Sequence, residues 1–147
     1  IKNPELIKQI SKRFGSQSIV VSIEAKKINT NTWEAYTENG RERTGVNVLE
    51  WARKMDEFNA GEILLTSIDN EGTTKGFDND LIKIVSNNVS IPVIASGGMG
   101  TKDHALSVIR ESNADAIAMA HVLHYEKLSL QDIRRELNSN NINVRKV

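Results

Sequence analysis

Apolar positions along the chain follow two alternating periods. After Asn3-Pro4-Glu5, the residues Leu6, Ile7, Ile10 and Phe14 recur at helical spacing, and Gly15 closes the segment. Asn3 reads as the cap, Pro4 as the first turn and Glu5 as an acid near the positive end of the dipole. Residues 18–25 form a run rich in Ile and Val, apolar enough for a strand buried on both faces. Residues 26–43 are polar, apart from Thr32-Trp33-Glu34-Ala35-Tyr36-Thr37, a short strand leading to the turn pair Asn39-Gly40. That stretch predicts a small hairpin inside a long loop.

Further on, Val48, Leu49, Ala52 and Met55 predict a helix over 46–58, ended by Ala60-Gly61. Residues 62–68 read as a second buried strand and 69–77 as a polar loop. Asp78 is placed to cap a helix carrying Leu81, Ile82, Ile84 and Val85. Residues 91–95 read as a third strand, followed by Ser96-Gly97-Gly98-Met99-Gly100. A helix over 101–111, a fourth strand over 115–122 and a last helix over 129–137, capped by Ser129, complete the order.

Helices alternating with strands demand a parallel sheet covered by helices. Short strands, each followed by a loop rich in functional residue types, favour a (β/α)8-barrel over an open doubly wound sheet. Four parallel strands cannot close a barrel, which takes about eight. The expectation is therefore the C-terminal half of a TIM-type barrel. The chain, 1–147, reads as a single segment running from strand 5 to helix 8 with helix 4 before it. The N-terminal half would come from residues upstream of Ile1 or from self-association, and the absence of an initiating Met fits an upstream start.

Composition narrows the function classes. The chain is 39% hydrophobic and 26% charged, close to an ordinary soluble globular protein. Basic and acidic residues balance at 19 each, so no general attraction to nucleic acid or an anionic membrane is expected. There are no cysteines, which removes disulfides and thiolate metal sites and is compatible with the cytoplasm. Apolar runs are far too short to cross a bilayer.

In a parallel α/β fold, chemistry gathers at the C-terminal strand ends. Gly97 and Gly98, between an apolar strand and a helix, could bring backbone N–H groups onto a phosphate; the bland reading is a tight turn needing positive φ. Gly72 and Thr73 form a second such loop beside Glu71, or else a solvated turn. Glu24 ends an apolar run, and burial of a carboxylate there would suit it to proton transfer, unless it salt-bridges to Lys26 or a nearby loop. Glu24 and Glu71 together form a candidate acid–base pair. His121 and His124 are three apart and in a regular strand would face opposite sides, which argues against a shared metal. His121 could donate to an anion at the glycines, with His124 structural. Glu62 opens a strand at the opposite end, where a base-of-barrel ion pair is the bland reading.

Several runs also carry a resemblance: Asn3-Pro4-Glu5-Leu6-Ile7, Phe14-Gly15-Ser16-Gln17, Gly61-Glu62-Ile63-Leu64-Leu65-Thr66-Ser67, Ile91-Pro92-Val93-Ile94-Ala95-Ser96-Gly97-Gly98 and Asn143-Val144-Arg145. In order and spacing they resemble the HisF family of cyclase subunits of imidazole glycerol phosphate synthase. The resemblance implies a barrel that takes ammonia from a HisH-like glutaminase docked on its N-terminal face. With that ammonia it converts PRFAR to imidazole glycerol phosphate and AICAR, without cofactor or metal. Glu24 then falls where the family has an assisting Asp, Thr66 and Ser96 line the pocket, and Gly72, Thr73, Gly97 and Gly98 surround a substrate phosphate. Asn39-Gly40 matches the tip of a mobile loop, and Glu62 an acidic residue of the ammonia gate.

The family's first-strand catalytic Asp has no counterpart here, so the segment alone is expected to be inactive. Glu24 and Glu71 each stand for an Asp and His121 for a Ser. A carboxylate misplaced by about 1 Å can cost roughly a hundredfold in rate, so these departures point to a changed substrate. HisF-like paralogues that supply ammonia for sugar amidation in surface-polysaccharide clusters fit that change, with Arg41-Glu42-Arg43-Thr44-Gly45 and Glu71-Gly72 as matching features. A reading of another class is a non-catalytic half-barrel scaffold that self-associates.

Overall fold

The computed structural model describes residues 1–145. It runs α1 (Glu5–Phe14), a 3-10 turn (Ser16–Ser18), β1 (Val20–Asn29), β2 (Thr32–Thr37), β3 (Glu42–Asn47) and α2 (Val48–Glu57). Then follow β4 (Glu62–Ser67), α3 (Asn79–Ser86), β5 (Val93–Ser96), α4 (Lys102–Ser112), β6 (Ala116–Ala118), α5 (His121–His124) and α6 (Leu130–Ser139). The strands form one sheet in the order β3-β2-β1-β4-β5-β6. Pairing is parallel from β1 through β4 and β5 to β6. The expected arc of four neighbouring parallel strands joined by helical crossovers is present, as in part of a (β/α)8-barrel.

One face of that arc is dry. Ile23 and Ala25 of β1, Ile63 and Leu65 of β4, and Val93 and Ala95 of β5 are buried with Trp51, Met55, Leu81, Val85, Ala105 and Val108 from α2, α3 and α4. Apolar side chains one turn apart on each helix supply this packing, which removes the apolar stripe of each helix from water. The alternate residues point the other way and are more open. Val20 is 54% exposed, and β4 alternates between partly buried and buried positions along its length. The helices cover one face of the strands, and no described element covers the other.

Several boundaries also differ, among them the third strand, which runs Val93–Ser96. Residue 18 lies in the 3-10 turn, so β1 starts later and continues four residues past Ala25. The polar loop becomes two strands of the sheet: β2 pairs antiparallel with β1 from Glu24↔Tyr36 to Asn29↔Thr32, and β3 pairs with β2. Val46 belongs to β3, so α2 begins at Val48 with Asn47 as its cap. Asn3 makes no side-chain cap; Pro4 holds that position, and the Asn3 carbonyl accepts from the Leu6 N–H instead.

Asp78 caps α3 as expected: its Oδ1 accepts from the Leu81 N–H at 3.1 Å. Its Oδ2 accepts from the Trp33 indole N–H at 2.8 Å, which fastens β2 to α3. Trp33 is buried, so removing the acceptor strands an indole donor as well as a helix end. Asp78→Ala is expected to lower stability by about 2 kcal/mol, read by urea denaturation. An unchanged midpoint would show that the double contact contributes nothing.

Candidate functional site

The parallel register sets three rows of side chains on the open face. The row nearest the C-terminal strand ends is Glu24, Thr66, Ser96 and Ala118, each directly paired with the next. Neighbouring strands sit about 4.8 Å apart, so Glu24, Thr66 and Ser96 stand side by side along one line. Three residues singled out separately in the sequence therefore share one face, because each has the same parity in its strand.

Beyond that row, a cleft of about 170 Å³ opens between the loops after β4, β5 and β6. Glu71 and Gly72 come from the first loop, Ser96, Gly97 and Gly98 from the second, and His121 from the third. The structure thus gathers six of the candidate residues around one cavity. Met99, Ala118, Met119 and Ala120 also line it and were not anticipated. They have no chemistry of their own to draw attention; only their place after a strand end could have found them.

The two adjacent glycines have distinct physical reasons. At Gly98, φ is +102° and a Cβ would lie 2.0 Å from the Gly76 carbonyl oxygen. The two loops are also joined there by a hydrogen bond from the Gly76 N–H to the Gly98 carbonyl, 2.8 Å. Gly98 is thus demanded by close packing of backbone on backbone. At Gly97, φ is +92° and a Cβ would meet the Ser67 carbonyl oxygen at 2.8 Å and Glu71 Oε2 at 3.1 Å. Among the described residues, the N–H groups of Gly72, Gly97 and Gly98 donate to no backbone carbonyl. Three unpaired donors beside one cleft are suited to an anion.

The other candidates lie elsewhere. The Gly40 N–H donates to Glu24 Oε2 at 2.7 Å, so the tip of the β2–β3 turn is tied down on the end of β1. Glu38, Asn39 and Gly40 all have positive φ, which makes this the reversing turn that Asn39-Gly40 announced. Glu24 and Glu71 are not gathered around the same cleft, and Lys26 pairs with Asp69, not with Glu24. The Thr73 hydroxyl donates to the Asn70 carbonyl at 2.8 Å and so braces its own loop. Glu62 is at the far, N-terminal end of β4, without an ion-pair partner among the described residues.

The histidines need correcting. The fourth strand stops at Ala118, and His121 and His124 bound the short helix α5. A three-residue step in a helix brings side chains to the same side, not to opposite ones. Both rings pack on Tyr125, with centroids 4.6 Å and 4.9 Å away. No group of three or more His, Asp or Glu side chains able to hold a metal occurs among the described residues.

The loop after β4 is anchored at its second residue, Asp69. Asp69 accepts from the Lys26 ammonium and from the Lys27 N–H, both at 2.8 Å. Partial burial alone would push the Asp69 carboxyl up, but those two hydrogen bonds and the nearby lysine charges hold it below its ordinary value of 3.8. Because the folded value is depressed, this stabilisation is complete above pH 3.8 and is lost as the pH falls through the lower folded value. The Lys27 amide resonance is expected to stay constant above that point and to move in acid; movement that begins near neutrality would contradict the pair. Both side chains are well exposed, so the effect is confined to the loop.

The profile of the family described as "Histidine biosynthesis protein" matches residues 1–129. The protein named imidazole glycerol phosphate synthase subunit HisF from Prochlorococcus marinus (strain MIT 9312) is 48% identical over 147 residues, 99% of this chain and 57% of the relative. The proteins of that name from Hydrogenobaculum sp. (strain Y04AAS1) and Bacillus cereus (strain Q1) are 44% and 43% identical over 145 residues, 99% of this chain and 58% of each relative. The chain therefore spans rather more than half the length of the relatives it matches. No helix among the described residues is long and apolar enough to cross a membrane.

Proposed function

Because the chain belongs to the histidine biosynthesis protein family, we propose that it forms the C-terminal half of a HisF-type cyclase barrel. In that reading a glutaminase docks on the N-terminal face, beside Glu62, and ammonia passes to the C-terminal strand ends. There PRFAR is converted to imidazole glycerol phosphate and AICAR. The N–H groups of Gly72, Gly97 and Gly98 hold a substrate phosphate, with His121 beside it. Glu24, in line with Thr66 and Ser96, handles protons at the reacting ring. The observation that carries the reading is identity of 43% to 48% with three HisF subunits across nearly the whole chain. Those relatives favour the cyclase over sugar amidation and over an inert scaffold. The geometry agrees, since the cleft lies at the strand ends where barrel chemistry gathers.

The test is turnover of PRFAR by the protein in its natural length, with ammonium salt as nitrogen source. Formation of imidazole glycerol phosphate is the expected result. A folded protein that leaves PRFAR untouched would overturn the cyclase reading and turn attention to an amidation acceptor.

A further inference from the structure

The cleft poses an electrostatic problem for the phosphate assigned to it. Its lining contains the carboxylate of Glu71 and no lysine or arginine. Three neutral N–H donors facing a dianion beside a carboxylate leave an uncompensated negative charge. A cation has to join from outside the lining.

The geometry points to Lys127, and we propose that its ammonium is a ligand of the substrate phosphate, held ready on His121 until the anion arrives. This rests on the phosphate reading of the glycine cleft. Lys127 Nζ lies 3.0 Å from Nε2 of His121, which lines the cleft. An ammonium has only protons to offer, so Nε2 presents its lone pair and the ring proton sits on Nδ1. The approach is built into the backbone. Glu126 takes a left-handed φ of +52°, reversing the chain after α5, and the Lys127 N–H then bonds the Val122 carbonyl at 2.9 Å. The His121 ring is itself seated on Tyr125. Lys127 thus ends beside a cleft residue although it is itself solvent-exposed. Its flexible stem lets the ammonium swing from imidazole to a phosphate oxygen and gain a charge-assisted hydrogen bond in exchange for a neutral acceptor. The class of group selected is a phosphate monoester dianion, because only a strong anion outcompetes the imidazole for the ammonium, which in turn offsets the negative charge of Glu71 and the phosphate.

The experiment is amide NMR titration of the protein with inorganic phosphate. Shifts of the Gly72, Gly97 and Gly98 amides are the expected response in the parent. Lys127→Met should weaken that binding about tenfold, while Lys127→Arg, which keeps the charge, should stay within about threefold of the parent. Equal phosphate affinity in Lys127→Met and the parent would overturn the role of Lys127 and leave the phosphate site standing. Glycine amides that ignore phosphate in the parent would overturn the site itself, and the lysine with it.

Discussion

Gly98→Ala is expected to destabilise the fold by roughly 3 kcal/mol or more and to erase the cleft between the loops. Two costs coincide at this position. An L residue at φ +102° is strained, and the added methyl would sit 2.0 Å from the Gly76 carbonyl oxygen, where only a backbone shift can make room. That shift breaks the Gly76–Gly98 hydrogen bond and moves Gly97, where an added Cβ would meet Ser67 and Glu71. Gly72→Ala provides the contrast. Its φ is +71° but nothing lies within 4 Å of an added Cβ, so the cost is the left-handed conformation alone, about 1 kcal/mol. Urea unfolding of the two variants separates crowding from backbone strain. Equal losses in both would show that loop-on-loop packing is not what requires Gly98.

The helices and parallel strands were legible because their apolar periods are strong. Leu81, Ile82 and Val85 mark α3, and Ile63 and Leu65 mark β4, and all five are buried in the core. β3 was not legible. It is a polar edge strand, Glu42–Asn47, paired on one side only, and it is held by the buried Glu34, which accepts from the Arg43 guanidinium and from the Gly45 N–H. Hydrophobic alternation carries no information about a strand stabilised in that way. The end of the fourth strand was misread for a related reason. Residues 119–122 are apolar or aromatic in type, and period alone does not separate a strand end from one turn of helix.

The site was legible by position more than by residue type. Gly72, Ser96, Gly97, Gly98 and His121 were singled out because they follow strands, and the cleft assembles them with Glu71. Thr73 has the right hydroxyl for a phosphate, yet a local bond to Asn70 takes it. Lys127 was invisible in the sequence because its placement depends on one left-handed residue, Glu126, for which the side chain gives no warning. The sequence could place Asn39-Gly40 in a turn, but the bond from Gly40 to Glu24 depends on a register between β1 and β2 that pairing alone establishes.

That bond makes Glu24 the position where geometry and chemistry can be separated. Under the cyclase proposal, Glu24→Gln should lower ammonia-dependent turnover by about a hundredfold or more, the usual contribution of a positioned proton-transfer group. The amide oxygen of Gln still reaches the Gly40 N–H, so hydrogen exchange at Gly40 should stay slow and the loop tip should stay in place. Glu24→Asp does the reverse. It keeps a carboxylate, the type the HisF resemblance places here, but withdraws it by about one C–C bond, enough to abandon a contact of 2.7 Å. Gly40 should then exchange faster, while turnover should fall less than in Glu24→Gln, since a carboxylate is still there to transfer the proton. If Gln instead preserves turnover and Asp abolishes it, the carboxylate acts by holding the loop tip, and proton transfer belongs to another group of the barrel.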